Sequence, residues 1–446
     1  MDFAHLVASL EEALNELPLL DAHTHMDAVH PAARGLDDVL LYHMVISDLY
    51  SAGCPDGGRL SEWPSLEESH TRLERALPYV KHIQNTSCFW GVRIILRDLY
   101  GWEGPVLESN WRTLDTLIRE RATQSDWAWQ ILDKAGIKRT CTELWRRHDG
   151  RADKRFQYSL EWAFFARSQW GEFDTALYEL ENAWSQGRPG APLPVTAGEA
   201  RSVPVRQINT LDDVEEALDF YYEAIPYDEV LSTAQHLSTD LAYRQVSQSE
   251  MTEALTRRGQ AGSAERDIYA SYVLEGFLSR LGKLGRPFVF QFSLGAEPLP
   301  YETVSRLNPP TIAHLAELVA RHPSVQFQCF LSSAAANQSL CTLARELPNF
   351  SLAGYWWHNF FPTFIEQVLS ERLDMLSTRK QVGFFSDAYT AEWAYAKAVL
   401  IRKAMARVLA SKIAQGQYDF ESAVGIARAL LFESAQDLLA MTPREG

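Results

Sequence analysis

Apolar residues recur at spacings of three and four between residues 2 and 16, a pattern that places them on one face of a helix. Pro18 is expected to end that helix, because its ring prevents the helical hydrogen bond. The apolar pair Leu19 and Leu20 follows and leads into a polar run at 21–25. The pattern therefore predicts an N-terminal helix and then a short strand that ends in polar side chains.

Residues 36–130 show a different pattern, in which amphipathic and aromatic segments follow one another without a run typical of a strand. Loops that contain glycine, near 53–58 and 101–105, separate some of these segments. We interpret 36–130 as a helical insertion that follows the first strand. Its predicted helices are Leu36–Ser51, Ser65–His82, Thr86–Gly101 and Ser109–Thr123.

After residue 130, predicted helices alternate with short apolar runs that are typical of buried strands. The predicted strands are Ile137–Leu144, Phe156–Trp162, Val230–Leu237, Pro287–Leu294, Val325–Leu331, Phe350–Trp357 and Val382–Ser386. The predicted helices are Ala128–Ala135, Asp212–Glu223, Asp267–Leu284, Pro310–His322, Ser339–Glu346 and Phe364–Leu376, with a last helical region from Thr390 onward.

The alternation of strands and helices predicts an α/β fold with a parallel sheet. With the strand near residue 20 the predicted strands number eight, which fits a (β/α)8 TIM barrel. We therefore expect a single domain over residues 1–446, with the helical insertion after its first strand. An open doubly wound sheet would also alternate, but the sequence has no GxGxxG fingerprint to support it.

Composition and charge restrict the possible partners. The chain of 446 residues is 46% hydrophobic and 22% charged, and its net charge is −16. Such an acidic protein repels phosphate backbones and anionic lipids, so we expect neither nucleic acid nor a membrane as a partner, but a small molecule. The five cysteines form no CxxC pair, and there is no signal peptide and no long apolar run, so we expect a cytoplasmic protein.

His23 and His25 give the sharpest indication of chemistry. Residues i and i+2 of a strand face the same side, so both imidazoles can reach one point at the strand's C-terminal end. Barrel enzymes place their active sites at that end. Imidazole ligands suit Zn²⁺, Fe²⁺ or Mn²⁺, with zinc the commonest choice. The alternative is that they are two unrelated polar residues at a strand end.

Asp387 is the second candidate, because it follows the last predicted strand, 382–386. In a closed barrel the eighth strand pairs with the first, which would bring this carboxylate beside His23 and His25. It could ligate a metal ion there, or accept a proton as a general base. Alternatively, Asp387 caps the helix that begins near Thr390.

Several segments resemble the uronate isomerase branch of the amidohydrolase superfamily. The segment Asp-Ala-His-Thr-His at 21–25 is similar to the end of that branch's first strand, and Ser386-Asp387 to the end of its eighth. The other similar segments are TSCFWGVRIILRDLYGW at 86–102, QFSLGA at 291–296 and SLAGYWWHN at 351–359. The resemblance spans most of the chain, and it implies a metal-dependent barrel enzyme that interconverts an aldose and a ketose of a sugar acid.

The sequence also departs from that branch. Ser293 stands in place of the fifth-strand histidine, and Glu297 and Tyr389 stand where the branch carries arginines. Guanidinium groups grip carboxylates bidentately, so these replacements weigh against a uronate as the substrate. No lysine follows the fourth predicted strand to bridge two metals as a carbamate. We therefore expect one divalent ion, zinc by preference, held by His23, His25 and Asp387.

Five further residues are weaker candidates for the site. His43 lies where the branch carries a histidine near its active site, and it is a candidate proton shuttle or else a residue on a helix face. Trp357, His358, Arg93 and Tyr389 are candidates for substrate binding. For Trp357 the alternative is packing at the barrel mouth, and for Arg93 it is a solvated helix face.

Three functions remain open from the sequence. The first is aldose–ketose isomerisation of a sugar acid. The second is a mononuclear metal-dependent hydrolase or decarboxylase that acts on another small carboxylate or amide. The third is a non-catalytic paralogue, which Ser293 and the missing arginines favour. The sequence leaves open whether the chain forms a homo-oligomer.

Overall fold

Eight parallel strands form the central sheet of the computed structural model, in the order in which they occur in the chain. The structure describes residues 2–55, 65–147, 154–162, 175–189, 206–237, 242–297, 304–305, 307, 309–355 and 360–439. The strands are β1 (Leu19–Asp21), β2 (Ile137–Glu143), β3 (Phe156–Trp162), β4 (Val230–Leu237), β5 (Val289–Leu294), β6 (Gln326–Leu331), β7 (Phe350–Ala353) and β8 (Gln381–Val382). A separate two-stranded pairing joins Ala296–Glu297 to Val304–Ser305.

Helix α1 (Phe3–Asn15) precedes the sheet, and the described residues between β1 and β2 form six helices. These six are α2 (Leu36–Leu40), α3 (His43–Ser51), α4 (Leu66–Val80), α5 (Ser87–Tyr100), α6 (Trp111–Ala122) and α7 (Trp127–Ala135). The later helices are α8 (Thr175–Gln186), α9 (Leu211–Glu223), α10 (Gln248–Thr256), α11 (Ser263–Leu281), α12 (Pro309–Arg321), α13 (Asn337–Glu346), α14 (Pro362–Met375), α15 (Ala391–Ala414), α16 (Phe420–Arg428) and α17 (Ser434–Leu438).

The two end strands of the sheet, β1 and β8, are connected through the segments that follow them. The backbone N–H of Asp387 donates to the carbonyl of His23 at 3.0 Å, and that of His25 donates to the carbonyl of Ala388 at 2.9 Å. The sheet therefore curls until its first and last strands meet at their C-terminal ends. An α/β fold of the TIM type, as predicted from the alternation, is confirmed.

The strands are buried on both faces, which explains their unbroken apolar runs. In β5, Val289 belongs to the hydrophobic cluster enclosed by the sheet, whereas Phe290 and Phe292 belong to the larger cluster between sheet and helices. The long helix α15 packs against α1, α5, α7 and α14, so it ties the helices near β1 to the C-terminal part of the chain.

The structure corrects some predicted boundaries. The predicted helix 36–51 is two helices, α2 and α3, because Tyr42 has an extended backbone with φ −71° and ψ 145°. The strand predicted at 382–386 pairs only at Gln381–Val382, since the backbone N–H of Gly383 donates to Leu430 instead of to a neighbouring strand. The sequence did not predict α8 or α10. That the six helices between β1 and β2 form an insertion remains an interpretation.

Membrane spanning can be assessed from the helices of the described segments. None of them is both long enough and apolar enough to cross a bilayer.

Position 354, directly after β7, requires glycine for two reasons, its backbone conformation and the lack of space for a side chain. Its φ is +49°, and a Cβ atom there would lie 2.1 Å from Cδ1 of Phe385. We expect Gly354→Ala to lower the free energy of unfolding by roughly 2–5 kcal/mol, because left-handed strain adds to overpacking. Denaturant titration measures this loss.

The control for this experiment is Gly416→Ala. Gly416 has φ +80° but nothing within 4 Å of the added Cβ, so it carries the backbone strain alone. Its expected cost is about 1–2 kcal/mol. Equal losses in the two variants would contradict the contact with Phe385.

Candidate metal centre

Asp21 fixes the end of β1 to the segment after β8. Its buried carboxylate accepts hydrogen bonds from the backbone N–H and the hydroxyl of Ser386, both at 2.6 Å, and from the Thr140 hydroxyl at 3.2 Å. Burial raises the pKa of Asp21 to about 6, against the lowering effect of these hydrogen bonds. Asp21 thus positions both segments that carry the candidate ligands.

His23, His25 and Asp387 come together at this end of the sheet. Oδ1 of Asp387 lies 3.1 Å from Nε2 of His25 and 3.4 Å from Nε2 of His23. One ligand atom from each of the three residues lies within 4.8 Å of the others. Two ligands at about 2.1 Å from a tetrahedral ion are roughly 3.4 Å apart, so these distances suit a shared metal ion.

The chemistry of this group also fits a divalent metal. Two imidazoles and one carboxylate form a common ligand set for zinc, and three protein ligands leave a position open for substrate or water. Nδ1 of His23 is buried without a hydrogen-bond partner among the described residues, so hydrogen bonds alone do not satisfy this ring. The group could therefore hold a metal ion.

Glu143 is a site residue that the sequence analysis missed. It ends β2, the neighbour of β1 in the sheet, and its carboxylate accepts a hydrogen bond from Nδ1 of His25. Its other oxygen accepts one from Nε of Arg146 at 2.7 Å. In a neutral His25 ring this contact places the proton on Nδ1, so that Nε2 can serve as a ligand once a metal ion replaces its hydrogen bond to Asp387. An acidic residue at the end of the strand next to β1 was the signal available in the sequence.

The charges at the site keep both carboxylates ionised. Burial by itself would raise the pKa of Glu143, but the charges of Arg146 and His25 hold it well below its usual range. Burial likewise opposes ionisation of Asp387, and hydrogen bonds from His23 and His25 lower its pKa well below the usual range. Ionised carboxylates are the form that binds a metal ion.

Tyr389 and His43 lie beside this group. The Tyr389 ring stacks on His25 with centroids 4.9 Å apart and 21° between the planes. The His43 ring, at the start of α3, lies 6.4 Å from the Tyr389 ring. The structure therefore brings Tyr389 next to a candidate ligand, and His43 next to Tyr389.

The other predicted substrate-binding residues are placed differently. Arg93 is exposed on α5 and lines a cavity of about 530 Å³ together with Trp90 and Trp102, and none of the three candidate ligands lines that cavity. Trp357 and His358 lie outside the described residues. The structure thus does not join Arg93 to the metal group.

Comparison with known proteins finds similar structures but no similar sequences. No family model and no curated protein matches the sequence. Glucuronate isomerase from Caulobacter crescentus matches with a TM-score of 0.77 at 14% identity, over 99% of this chain and 95% of that one. Uronate isomerase from Thermotoga maritima matches with a TM-score of 0.74 at 11% identity, over 98% and 97%.

This chain has the fold of the uronate isomerases. The resemblance seen in the sequence is confirmed at the level of the fold. A protein from Lactobacillus casei, provisionally named a metal-dependent hydrolase, matches with a TM-score of 0.59 at 12% identity, over 97% of each chain. The fold is thus shared with proteins that are assigned to more than one reaction.

Replacement of Glu143 tests the support that His25 receives. Glu143→Gln keeps an oxygen acceptor but removes the charge, and we expect the affinity for Zn²⁺ to fall by roughly 10- to 100-fold. Calorimetric titration of metal-free protein with Zn²⁺ measures this change.

Glu275→Gln is a matched control, because Glu275 also accepts hydrogen bonds from a histidine and an arginine, His322 and Arg321. It should bind Zn²⁺ as the wild type does. A Glu143→Gln protein with unchanged affinity would show that Glu143 does not support a metal ligand.

Proposed function

We propose that this protein is a metal-dependent isomerase that interconverts the aldose and ketose forms of a sugar acid. The observation that supports this best is the convergence of His23, His25 and Asp387 at the C-terminal ends of the strands. Enzymes with barrels of parallel strands place their active sites at that end. Two neighbours in fold are named as isomerases of uronate and glucuronate.

In this proposal His23, His25 and Asp387 hold one divalent ion, zinc by preference. Bound there, the ion would act as a Lewis acid for adjacent oxygens of the substrate. Glu143, which accepts a hydrogen bond from Nδ1 of His25, would leave Nε2 of that ring for the ion. The residues that hold the ion would thereby help to bind and orient the substrate, which is a contribution that a fixed geometry can supply.

Isomerisation also needs a group that moves a proton between neighbouring carbons. Asp387 is the first candidate, since its carboxylate is ionised and its side chain is 16% exposed, so that it reaches the open side of the group. His43 is the second, because its ring lies 6.4 Å from that of Tyr389 and imidazole is the commonest general acid–base group in enzymes. Tyr389, whose ring stacks on His25, is a candidate for substrate binding.

A second candidate function is hydrolysis of a small amide or ester. Its support is the hydrolase named among the neighbours in fold, together with Glu297 and Tyr389 where the uronate isomerase branch carries arginines. The same three ligands would serve, with Asp387 as the acceptor of the proton. Recognition of a sugar carboxylate is the property that separates the two proposals.

Assays with glucuronate and galacturonate test the proposal directly. We expect the Zn²⁺-loaded protein to convert at least one of them to the corresponding ketose, measured by the carbonyl product. His25→Ala and Asp387→Asn should each lower kcat/KM by at least about a hundredfold, because each removes a ligand or the base. His5→Ala, at an exposed position on α1, is the control and should retain full activity.

If the uronate assays show no turnover, further measurements distinguish the hydrolase from a non-catalytic paralogue. Turnover of esters, amides or lactones without turnover of any uronate would establish the hydrolase. Protein that takes up no Zn²⁺ or Mn²⁺ and converts no substrate would establish a non-catalytic paralogue.

A further inference from the structure

The backbone of Asp387 is held in an unusual conformation. Its φ is +51°, and among the described residues only Tyr243 shares a positive φ without being glycine. Left-handed backbone costs an aspartate about 1 kcal/mol or more, and such strain persists only where the surroundings enforce it. Its N–H donates to the carbonyl of His23, so one side of the residue is fixed by the strand-end contact.

The other side of Asp387 is fixed by the side chains of Tyr42, which lies 345 positions earlier in the chain, and Lys397, which lies 10 positions later. Its carbonyl oxygen accepts a hydrogen bond from the hydroxyl of Tyr42 at 2.6 Å and another from Nζ of Lys397 at 3.1 Å. Lys397 also donates to the Tyr42 hydroxyl at 2.9 Å. The Asp387 carbonyl, the Tyr42 hydroxyl and the Lys397 ammonium are thus each hydrogen-bonded to the other two.

The Lys397 side chain is buried among aromatic rings. The residue is 1% exposed, and its Nζ lies 4.4 Å from the centre of the Phe360 ring and 5.2 Å from that of Tyr42. Trp393 stacks on the Tyr42 ring with centroids 4.3 Å apart. Burial of a lysine is costly, so its presence calls for a role that a smaller apolar residue could not fill.

We propose that Lys397 and Tyr42 act as a positioning clamp, which holds the carbonyl of Asp387 turned inward and so directs its carboxylate at His23 and His25. The inference rests on the proposed metal site but assigns residues outside the ligand set. Rotation of the Asp387 peptide out of the left-handed region would move the carboxylate, because side chain and carbonyl are attached to the same Cα. The clamp therefore acts on the metal through Asp387.

A purely electrostatic role for Lys397 makes the opposite prediction. A cation behind the site repels a bound metal ion, so its removal alone would strengthen metal binding. Loss of a clamp would weaken binding, because Asp387 could then leave the ligand geometry. The sign of the change in affinity separates the two roles.

The test is titration of metal-free protein with Co²⁺, followed by visible absorption, which reports both affinity and coordination geometry. We expect Lys397→Met to weaken Co²⁺ binding roughly 10- to 100-fold, as for other outer contacts of metal ligands, and to change the shape of the spectrum. Tyr42→Phe removes one hydrogen bond without a change of charge, and it should weaken binding roughly two- to tenfold.

Lys412→Met is the matched control. Lys412 is another buried lysine of α15, paired with Asp374 at 2.6 Å, and the helical rise places it about 22 Å from Lys397 along the helix axis. It should reproduce any general loss of stability but leave Co²⁺ affinity and spectrum as in the wild type.

The outcomes separate the clamp from the metal site. If the wild type binds no Co²⁺, the metal site is wrong and the clamp falls with it. If the wild type binds Co²⁺ and Lys397→Met binds it equally or more tightly with the same spectrum, the clamp alone is overturned. Should Lys397→Met fail to fold, Tyr42→Phe decides, and wild-type affinity and spectrum in that variant overturn the clamp.

Discussion

The contact between the segments after β1 and β8 is the constraint on which the candidate site depends. Ser386 donates two hydrogen bonds to Asp21, a residue 365 positions earlier in the chain. Backbone hydrogen bonds continue this contact to Asp387 and Ala388. Because the histidines lie on one segment and the aspartate on the other, the three side chains meet only when the two ends of the sheet meet.

Groups that are positively charged or donate hydrogen bonds surround the carboxylates of Glu143 and Asp387 near this contact. Each carboxylate at the site is buried between positively charged or hydrogen-bond-donating groups: Glu143 between His25 and Arg146, and Asp387 between the histidines and Lys397. An isolated buried carboxylate would become protonated, whereas these stay ionised. The fold thus maintains anionic oxygens close to the two histidines, which favours the binding of a cation.

The fold alone does not determine which reaction a protein catalyses, whereas the side chains of the site do. A barrel of parallel strands supports many reactions, and the neighbours in fold include isomerases and a provisionally named hydrolase. Any chemistry therefore depends on the side chains at the ends of the strands. Positions 293 and 389 hold a serine and a tyrosine, where the uronate isomerase branch that the sequence resembles carries a histidine and an arginine.

Local patterns in the sequence were sufficient to predict most strands and the TIM-type fold. Strand alternation predicted that His23 and His25 share a side, but β1 ends at Asp21 and both histidines lie in the segment that follows it. Asp387 was predicted from chain order, since the eighth strand closes on the first. Glu143, Lys397 and the break at Tyr42 were not predicted. Their roles depend on contacts between elements far apart in sequence, and only the packing of β2, α3 and α15 around the end of β1 decides those distances.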